Sequence, residues 1–146
     1  MTGQSEVETI RGAIPTSDLG VTLMHEHVFV LSPEIMANHP EGWGDEKDRE
    51  DAAVEKLNAL KAIGVDTIVD PTVIGIGRYI PRIQRVAART DLQIVVATGL
   101  YTYNDVPMYF HFTGPGTALG GAETMTELFV RDITEGIADT LSLIHI

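Results

Sequence analysis

The sequence predicts an α/β domain with a parallel sheet, and three observations support this class. Runs of β-rich sequence alternate with helix-like runs three times along the chain. Residues 92–99 are almost continuously apolar, which is typical of a parallel strand covered by helices on both faces. The composition is globular, since 44% of the 146 residues are hydrophobic and 21% are charged. We therefore expect one domain with right-handed crossovers.

The first element predicted is a short hairpin. Residues 9–14 alternate weakly and residues 15–20 contain the turn formers Pro15, Ser17, Asp18 and Gly20. This hairpin is expected to lead directly into the first strand of the sheet.

That strand is predicted at residues 21–30, an apolar and β-branched run that contains His25 and His27. On a strand, residues two apart point to the same face, so both imidazoles would face one way and Glu26 the other. Two neutral imidazoles can bind one divalent ion. The same pattern also fits two hydrogen-bonded core histidines. The position near the end of the first strand favours the metal hypothesis, because such folds carry their chemistry at the carboxyl ends of the strands.

A loop and a helix come next. Residues 32–44 mix Pro, Gly and Asn and are expected to form a long loop, with His39 and Trp43 as surface or lid residues. Residues 45–63 have acidic first turns, helically spaced Val54 and Leu57, and a stop at Gly64. The carboxylates of this helix are expected to form a solvated face.

The second unit consists of a strand at residues 65–70 and a helix that follows a tight loop. Asp70 is expected at the carboxyl end of the strand, before Pro71. Gly75 and Gly77 form a GxG in the loop, but a phosphate-binding role would require a third glycine in register. The helix is indicated by Ile80, Ile83, Val86 and Ala87.

The third unit begins with the strand at residues 92–99. Residues 100–121 form a long loop rich in aromatic residues, which suits a pocket wall or a partner contact. A capping box at Thr124 and Glu127 then predicts a helix that ends near Ala138. Its apolar stripe comprises Met125, Leu128, Phe129, Ile133 and Ile137.

The composition excludes several classes of partner and site. The net charge is −11 and no cluster of Lys or Arg is present, so nucleic acid and anionic membranes are not expected partners. The absence of cysteine excludes disulfides and thiolate metal sites. The polar, acidic start does not resemble a signal peptide, and no apolar run is long enough to cross a membrane. We therefore expect a soluble, cytoplasmic protein.

Five motifs occur in order along the chain: Gly12-Ala13-Ile14 with Asp18-Leu19-Gly20, Leu23-Met24-His25-Glu26-His27, Asp70-Pro71-Thr72, Ala97-Thr98-Gly99-Leu100-Tyr101, and Phe129-Val130-Arg131-Asp132-Ile133-Thr134-Glu135-Gly136-Ile137. Together they resemble the N-terminal portion of the phosphotriesterase family of the amidohydrolase superfamily, in particular its lactonase-like branch. The similarity extends from about Thr9 to about Asp139.

The resemblance implies a partial TIM (β/α)8 barrel consisting of the first three βα units after an N-terminal hairpin. In that family two divalent ions, zinc first and cobalt, manganese or iron as alternatives, lie at the carboxyl ends of the strands. By resemblance, His25 and His27 bind the more buried ion, and Tyr101, with Tyr103 nearby, lines the substrate pocket. The implied reaction is hydrolysis of lactones or phosphotriesters by attack of a metal-bound hydroxide.

The chain departs from the family pattern at residues 140–146, where the fourth strand with its metal-bridging lysine would follow. A complete barrel takes ~250 residues. Lys56 and Lys61 lie on a predicted helix and cannot replace that lysine, and His145 does not fit the pattern. Residues 1–146 are therefore expected to be a single incomplete domain of the hydrolase, and no catalytic residue is assigned.

Two other functions remain open. The chain could be a non-catalytic α/β module that forms homo-oligomers through exposed strand edges and the aromatic loop. A nucleotide-binding half-domain using Gly75 and Gly77 is the third hypothesis, but Pro71 and the missing third glycine disfavour it.

Overall fold

The structure is a computed structural model that describes residues 5–102, 104 and 106–138. Tyr103, His145 and the tail at residues 140–146 lie outside the described residues, so the predictions that concern them are not tested.

The chain begins with the predicted hairpin. Strand β1 (Glu6–Thr9) pairs antiparallel with β2 (Gly12–Pro15), so the turn lies at Ile10 and Arg11, earlier than predicted. The guanidinium of Arg11 donates to the carbonyl oxygens of Ala87 and Leu92 at 2.8 and 3.1 Å. The hairpin is thereby attached to the segment between the second helix and third strand predicted above.

The elements that follow are β3 (Thr22–Leu23), α1 (Pro33–Asn38), α2 (Pro40–Trp43), α3 (Glu46–Ala62), β4 (Thr67–Asp70), α4 (Ile80–Ala87), β5 (Gln93–Val96), α5 (Met108–Phe112) and α6 (Thr124–Thr134). Strands β3, β4 and β5 form a parallel sheet in that order. Strands that are neighbours in sequence are thus neighbours in space, as expected for three successive βα units.

The prediction of a buried strand over residues 21–30 is wrong in length and burial. Strand β3 contains two residues, and Met24 and Val30 are 70% and 58% exposed. The partner strand explains the early end, because β4 stops at Asp70 and the following Pro71 has no N–H to continue the ladder.

Two predicted loops contain short helices. Residues 32–44 form α1 and α2, each of which has proline in its first turn, and α5 lies within the aromatic loop. His39 is exposed and pairs with Glu41, whereas the half-buried Trp43 packs against Phe29. Helices of four to six residues are too short to show a helical period in the sequence.

The long helices agree with the sequence pattern except at their ends. Asp45 caps α3 by accepting from the N–H of Asp48, and α3 ends before Gly64 as predicted. The capping box predicted at Thr124 is wrong, because Glu123 is the N-cap residue and accepts from Met125. Helix α6 ends at Thr134 rather than near Ala138.

The expectation that the carboxylates of α3 are only a solvated face is also wrong. Arg82 of α4 is buried and donates to Glu46 at 2.7 Å, while Arg85 donates to Glu50 at 2.8 Å. These bonds join α3 to α4 over an apolar core that includes Leu57, Ile68, Val86, Leu92 and Ile94. In the part of the chain that the structure describes, no helix is long and apolar enough to cross a membrane.

Candidate metal site at the carboxyl ends of the strands

His25 and His27 lie directly after β3, at the carboxyl end of the first parallel strand. The N–H of Glu26, between them, donates to the carbonyl oxygen of Val69 at 3.0 Å. The N–H of Val28, two residues further along, donates to the side chain of Asp70 at 3.4 Å instead of to a strand carbonyl. The segment is thus held beside β4 although it is no longer part of the sheet.

The two imidazoles are neighbours. Their ring centroids are 5.1 Å apart and the rings meet edge to face at 79°. His25 is exposed, and the side chain of His27 is 28% exposed. The structure therefore brings the two predicted ligands together and leaves them accessible from solvent.

Thr72 and Asp70 form a hydrogen-bonded chain behind His27. The Nδ1 atom of His27 is 2.9 Å from Oγ1 of Thr72, which in turn donates to Oδ1 of Asp70 at 2.5 Å. The same Oδ1 accepts the backbone N–H of Thr72 at 3.0 Å. Asp70 is 1% exposed, so this chain of contacts runs from a partly exposed imidazole to a buried carboxyl group.

Burial raises the pKa of Asp70 above its ordinary value, because the charged carboxylate loses its hydration. The bonds from Thr72 and Val28 and the nearby imidazole of His27, whose Nδ1 lies 3.8 Å from Oδ1, oppose this rise. A carboxyl group so placed can orient a neighbouring imidazole through hydrogen bonds.

A second buried polar cluster lies near the carboxyl end of β5. Thr98 follows that strand and donates to Oδ2 of Asp132 on α6 at 2.5 Å. Arg78, in the loop before α4, donates to the same oxygen at 2.9 Å. The other oxygen of Asp132, Oδ1, is also buried, and no group among the described residues donates a hydrogen bond to it. The cluster joins the second and third units at the end of the sheet where the histidines lie.

Tyr101 lies two strands away from the histidines at the same end of the sheet. Its N–H donates to Ile74 at 3.0 Å, while the N–H of Ile74 donates to Gly99 at 3.2 Å, so the loops after β4 and β5 run together for a short distance. The Tyr101 side chain is exposed. The tight loop expected at Gly75 and Gly77 is present, with both glycines at positive φ.

The sequence indicated the histidine pair but missed the polar groups behind it. Asp70 was expected at the end of its strand and Thr72 belonged to a recognised motif, yet neither had an assigned role. Asp132 is one of many acidic residues on a predicted helix. Its partners Arg78 and Thr98 lie 54 and 34 residues away in sequence, so no local pattern connects them.

The ligand set is partial within the described residues, since no group of three or more His, Asp or Glu side chains there could hold a metal ion. Lys56 and Lys61 both lie on α3, as expected, and Lys61 pairs with Asp66 at 2.7 Å. Neither lysine has the position on a strand that a ligand would need.

Comparison with known proteins gives consistent matches. Residues 5–144 match the Phosphotriesterase family. The chain is 68% identical over 135 residues to the Phosphotriesterase homology protein of Mycobacterium tuberculosis (strain CDC 1551 / Oshkosh), covering 92% of this chain and 41% of that protein. It is 36% identical over 132 residues to the Aryldialkylphosphatase of Saccharolobus solfataricus, covering 90% and 40% of the two chains.

The solved structure of the phosphotriesterase from Mycobacterium tuberculosis is similar to this fold with a TM-score of 0.88 and 66% sequence identity, covering 96% of this chain and 43% of that one. The chain spans about two fifths of the length of the curated relatives it matches. These findings confirm the predicted fold class, an α/β chain that forms part of a TIM barrel.

Proposed function

The chain belongs to the phosphotriesterase family, and we propose that it is the N-terminal part of a metal-dependent hydrolase that cleaves phosphotriesters or lactones. One observation carries this proposal: His25 and His27 lie side by side, accessible from solvent, at the carboxyl end of the first parallel strand. This end of the strands is where barrel enzymes place their active sites.

The spacing of the two rings fits a shared metal ion. With Zn–N bonds of about 2.1 Å, two imidazoles on one tetrahedral ion have ring centres roughly 5 Å apart. The observed separation is 5.1 Å. We propose that His25 and His27 would hold a divalent ion, with zinc preferred because imidazole suits it, and cobalt, manganese or iron as alternatives.

Such an ion supplies Lewis-acid polarisation of a phosphoryl or carbonyl oxygen and an activated water near neutral pH. The names of the matched relatives, phosphotriesterase and aryldialkylphosphatase, support a phosphotriester substrate. The resemblance to the lactonase-like branch supports lactones as the second class. Tyr101, with Tyr103, is proposed to contact the substrate, because it follows the third strand at the same end of the sheet.

The partial ligand set limits what the 146-residue chain is expected to do. Catalytic zinc sites use three protein ligands and structural sites use four. With two histidines, the chain is expected to bind metal weakly, and we assign no residue a role in proton transfer. The absence of cysteine and the acidic charge support the proposal of a cytoplasmic location.

Metal binding tests the proposal directly. Titration of the 146-residue chain with Co²⁺, followed by absorption and calorimetry, should show binding that is lost in His25→Ala and in His27→Ala. His39→Ala is the matched control, since His39 is also exposed but pairs with Glu41. Unchanged binding in the double variant of His25 and His27 would contradict the assignment.

A second candidate function is self-association without catalysis. The aromatic loop supports it, because Tyr101, Met108, Tyr109 and Phe112 are 47–74% exposed. Light scattering combined with metal analysis separates the two functions. A well-folded oligomer that binds no Co²⁺ would favour the module, whereas a metal-binding monomer would favour the hydrolase.

A further inference from the structure

We propose that Thr72 and Asp70 are positioning residues that fix the tautomer of His27, so that its Nε2 atom is the one available to a metal ion. This inference rests on the proposed function for the identity of the ligand. The hydrogen-bond assignment itself concerns only the residues of this chain and can be measured without metal.

The hydroxyl group of Thr72 has a single proton to donate. Three groups could accept it: Oδ1 of Asp70 at 2.5 Å, Nδ1 of His27 at 2.9 Å when that nitrogen carries no proton, and the carbonyl oxygen of Phe29 at 3.4 Å. The shortest distance favours Asp70, whose Oδ1 already acts as an acceptor towards the backbone N–H of Thr72. With its proton donated to Asp70, the hydroxyl oxygen can only accept from the imidazole.

The consequence for His27 follows from the chemistry of neutral imidazole, in which one nitrogen carries the proton and the other has a free lone pair. The hydroxyl oxygen of Thr72 accepts the hydrogen bond from Nδ1 of His27, 2.9 Å away. Nδ1 therefore carries the proton, and Nε2 has the lone pair. A histidine that ligates metal commonly donates its other ring N–H to a neighbouring acceptor, which fixes both tautomer and ring orientation. Thr72 fills that role here.

The far end of this chain of bonds is anchored in the sheet. Asp70 is the last residue of β4, is 1% exposed, and also accepts the N–H of Val28 at 3.4 Å. The side chain of Asp70 therefore has two roles. It orients His27 through Thr72, and it holds the segment with the histidines to β4 through the N–H of Val28. His25, by contrast, has only an edge-to-face ring contact with His27 among the described residues. It serves as an internal reference for an imidazole with no fixed tautomer.

Long-range ¹H–¹⁵N correlation spectra of the metal-free chain test the assignment. At about pH 8, where free imidazole side chains are neutral, His27 is expected to be in the Nδ1–H form, the less common tautomer of a free histidine side chain. Thr72→Val removes the hydroxyl at nearly constant volume and should return His27 to the behaviour of His25. Thr72→Ser keeps the hydroxyl and should retain the Nδ1–H form. An Nε2–H form of His27 in the unmodified chain would overturn the proposal.

Metal affinity provides the second measurement. Loss of a hydrogen-bond partner behind a metal ligand typically weakens metal binding by about 10–100-fold, so Thr72→Val is expected to weaken Co²⁺ binding by that factor and Thr72→Ser much less. Equal affinity of Thr72→Val and the unmodified chain would overturn the positioning role. If the unmodified chain binds no Co²⁺ at all, the proposed function fails, while the tautomer of His27 still decides the hydrogen-bond assignment. Backbone amide spectra of both variants show whether each is folded.

Discussion

Substitution of Asp132 by asparagine should destabilise the fold far more than the same change at an exposed aspartate. The side chain of Asp132 is 1% exposed and that of its partner Arg78 is 10% exposed. Asparagine has nearly the same shape, so packing is retained while the negative charge is lost. The asparagine oxygen can still accept a hydrogen bond, but Arg78 would lose the negative charge that lies 2.9 Å away in Asp132.

The magnitude follows from the cost of a buried charge without a partner. Removing one member of a buried ion pair costs about 3–5 kcal/mol, because the remaining charge loses its counter-charge in a poorly hydrated place. A domain of this size has a free energy of unfolding of about 5–15 kcal/mol. The loss would therefore be a large part of the total, and it corresponds to a fall in the melting temperature of roughly 6 °C or more.

Urea and thermal unfolding followed by circular dichroism measure the effect. Asp91→Asn is the matched control, because Asp91 is exposed and its substitution should change the midpoint little. The double variant Arg78→Met with Asp132→Leu removes both charges and should cost less than Asp132→Asn alone. A change below about 1 kcal/mol for Asp132→Asn, or a double variant that is worse than the single one, would refute this reasoning.

Two further predictions concern stability. The hydrogen bond from Lys61 lowers the pKa of Asp66 below its value in the unfolded chain. The stability that this bond contributes is therefore present above about pH 4 and is lost as the pH falls below that. Asp66→Asn should accordingly flatten the acid side of a plot of unfolding free energy against pH, measured in urea. Gly77→Ala should lower the free energy of unfolding more than Gly116→Ala in the same urea series. Both glycines have positive φ, so both substitutions strain the backbone. Only at Gly77 would the added Cβ also clash with a neighbour, since it would lie 2.7 Å from Cγ of Leu31.

Local signals predicted the secondary structure best where they agreed with one another. For α3, the acidic first turns, the helically spaced Val54 and Leu57 and the stop at Gly64 predicted residues 45–63, and the helix is Glu46–Ala62. At β3 the composition of residues 21–30 predicted a long strand, but its length depends on the partner. Asp70 ends β4 and its side chain takes the N–H of Val28. Nothing in the sequence of residues 21–30 indicates where β4 ends or that Asp70 bonds Val28.

The sequence predicted the two neighbouring histidines of the candidate site but not the side chains that hydrogen-bond behind them. His25 and His27 share a local pattern, whereas the contact between His27 and Thr72 joins residues 45 positions apart. The same holds for Glu46 and Glu50, whose arginine partners on α4 lie 36 and 35 positions away. A helical pattern shows which face a carboxylate occupies, but it carries no information on which cation will reach that face.

The two most buried carboxyl groups of the described residues both lie near the carboxyl ends of the strands. Asp70 and Asp132 are 1% and 0% exposed, and each is bonded by a threonine, Thr72 after β4 or Thr98 after β5. Burying a carboxyl group costs free energy that an apolar side chain would not, so neither position is optimal for stability alone. Departures from the best choice for stability are expected where geometry serves function. Apolar substitution at Asp70 should release the orientation of His27 and should also lower the free energy of unfolding measured in urea, because the N–H groups of Thr72 and Val28 would lose their acceptor.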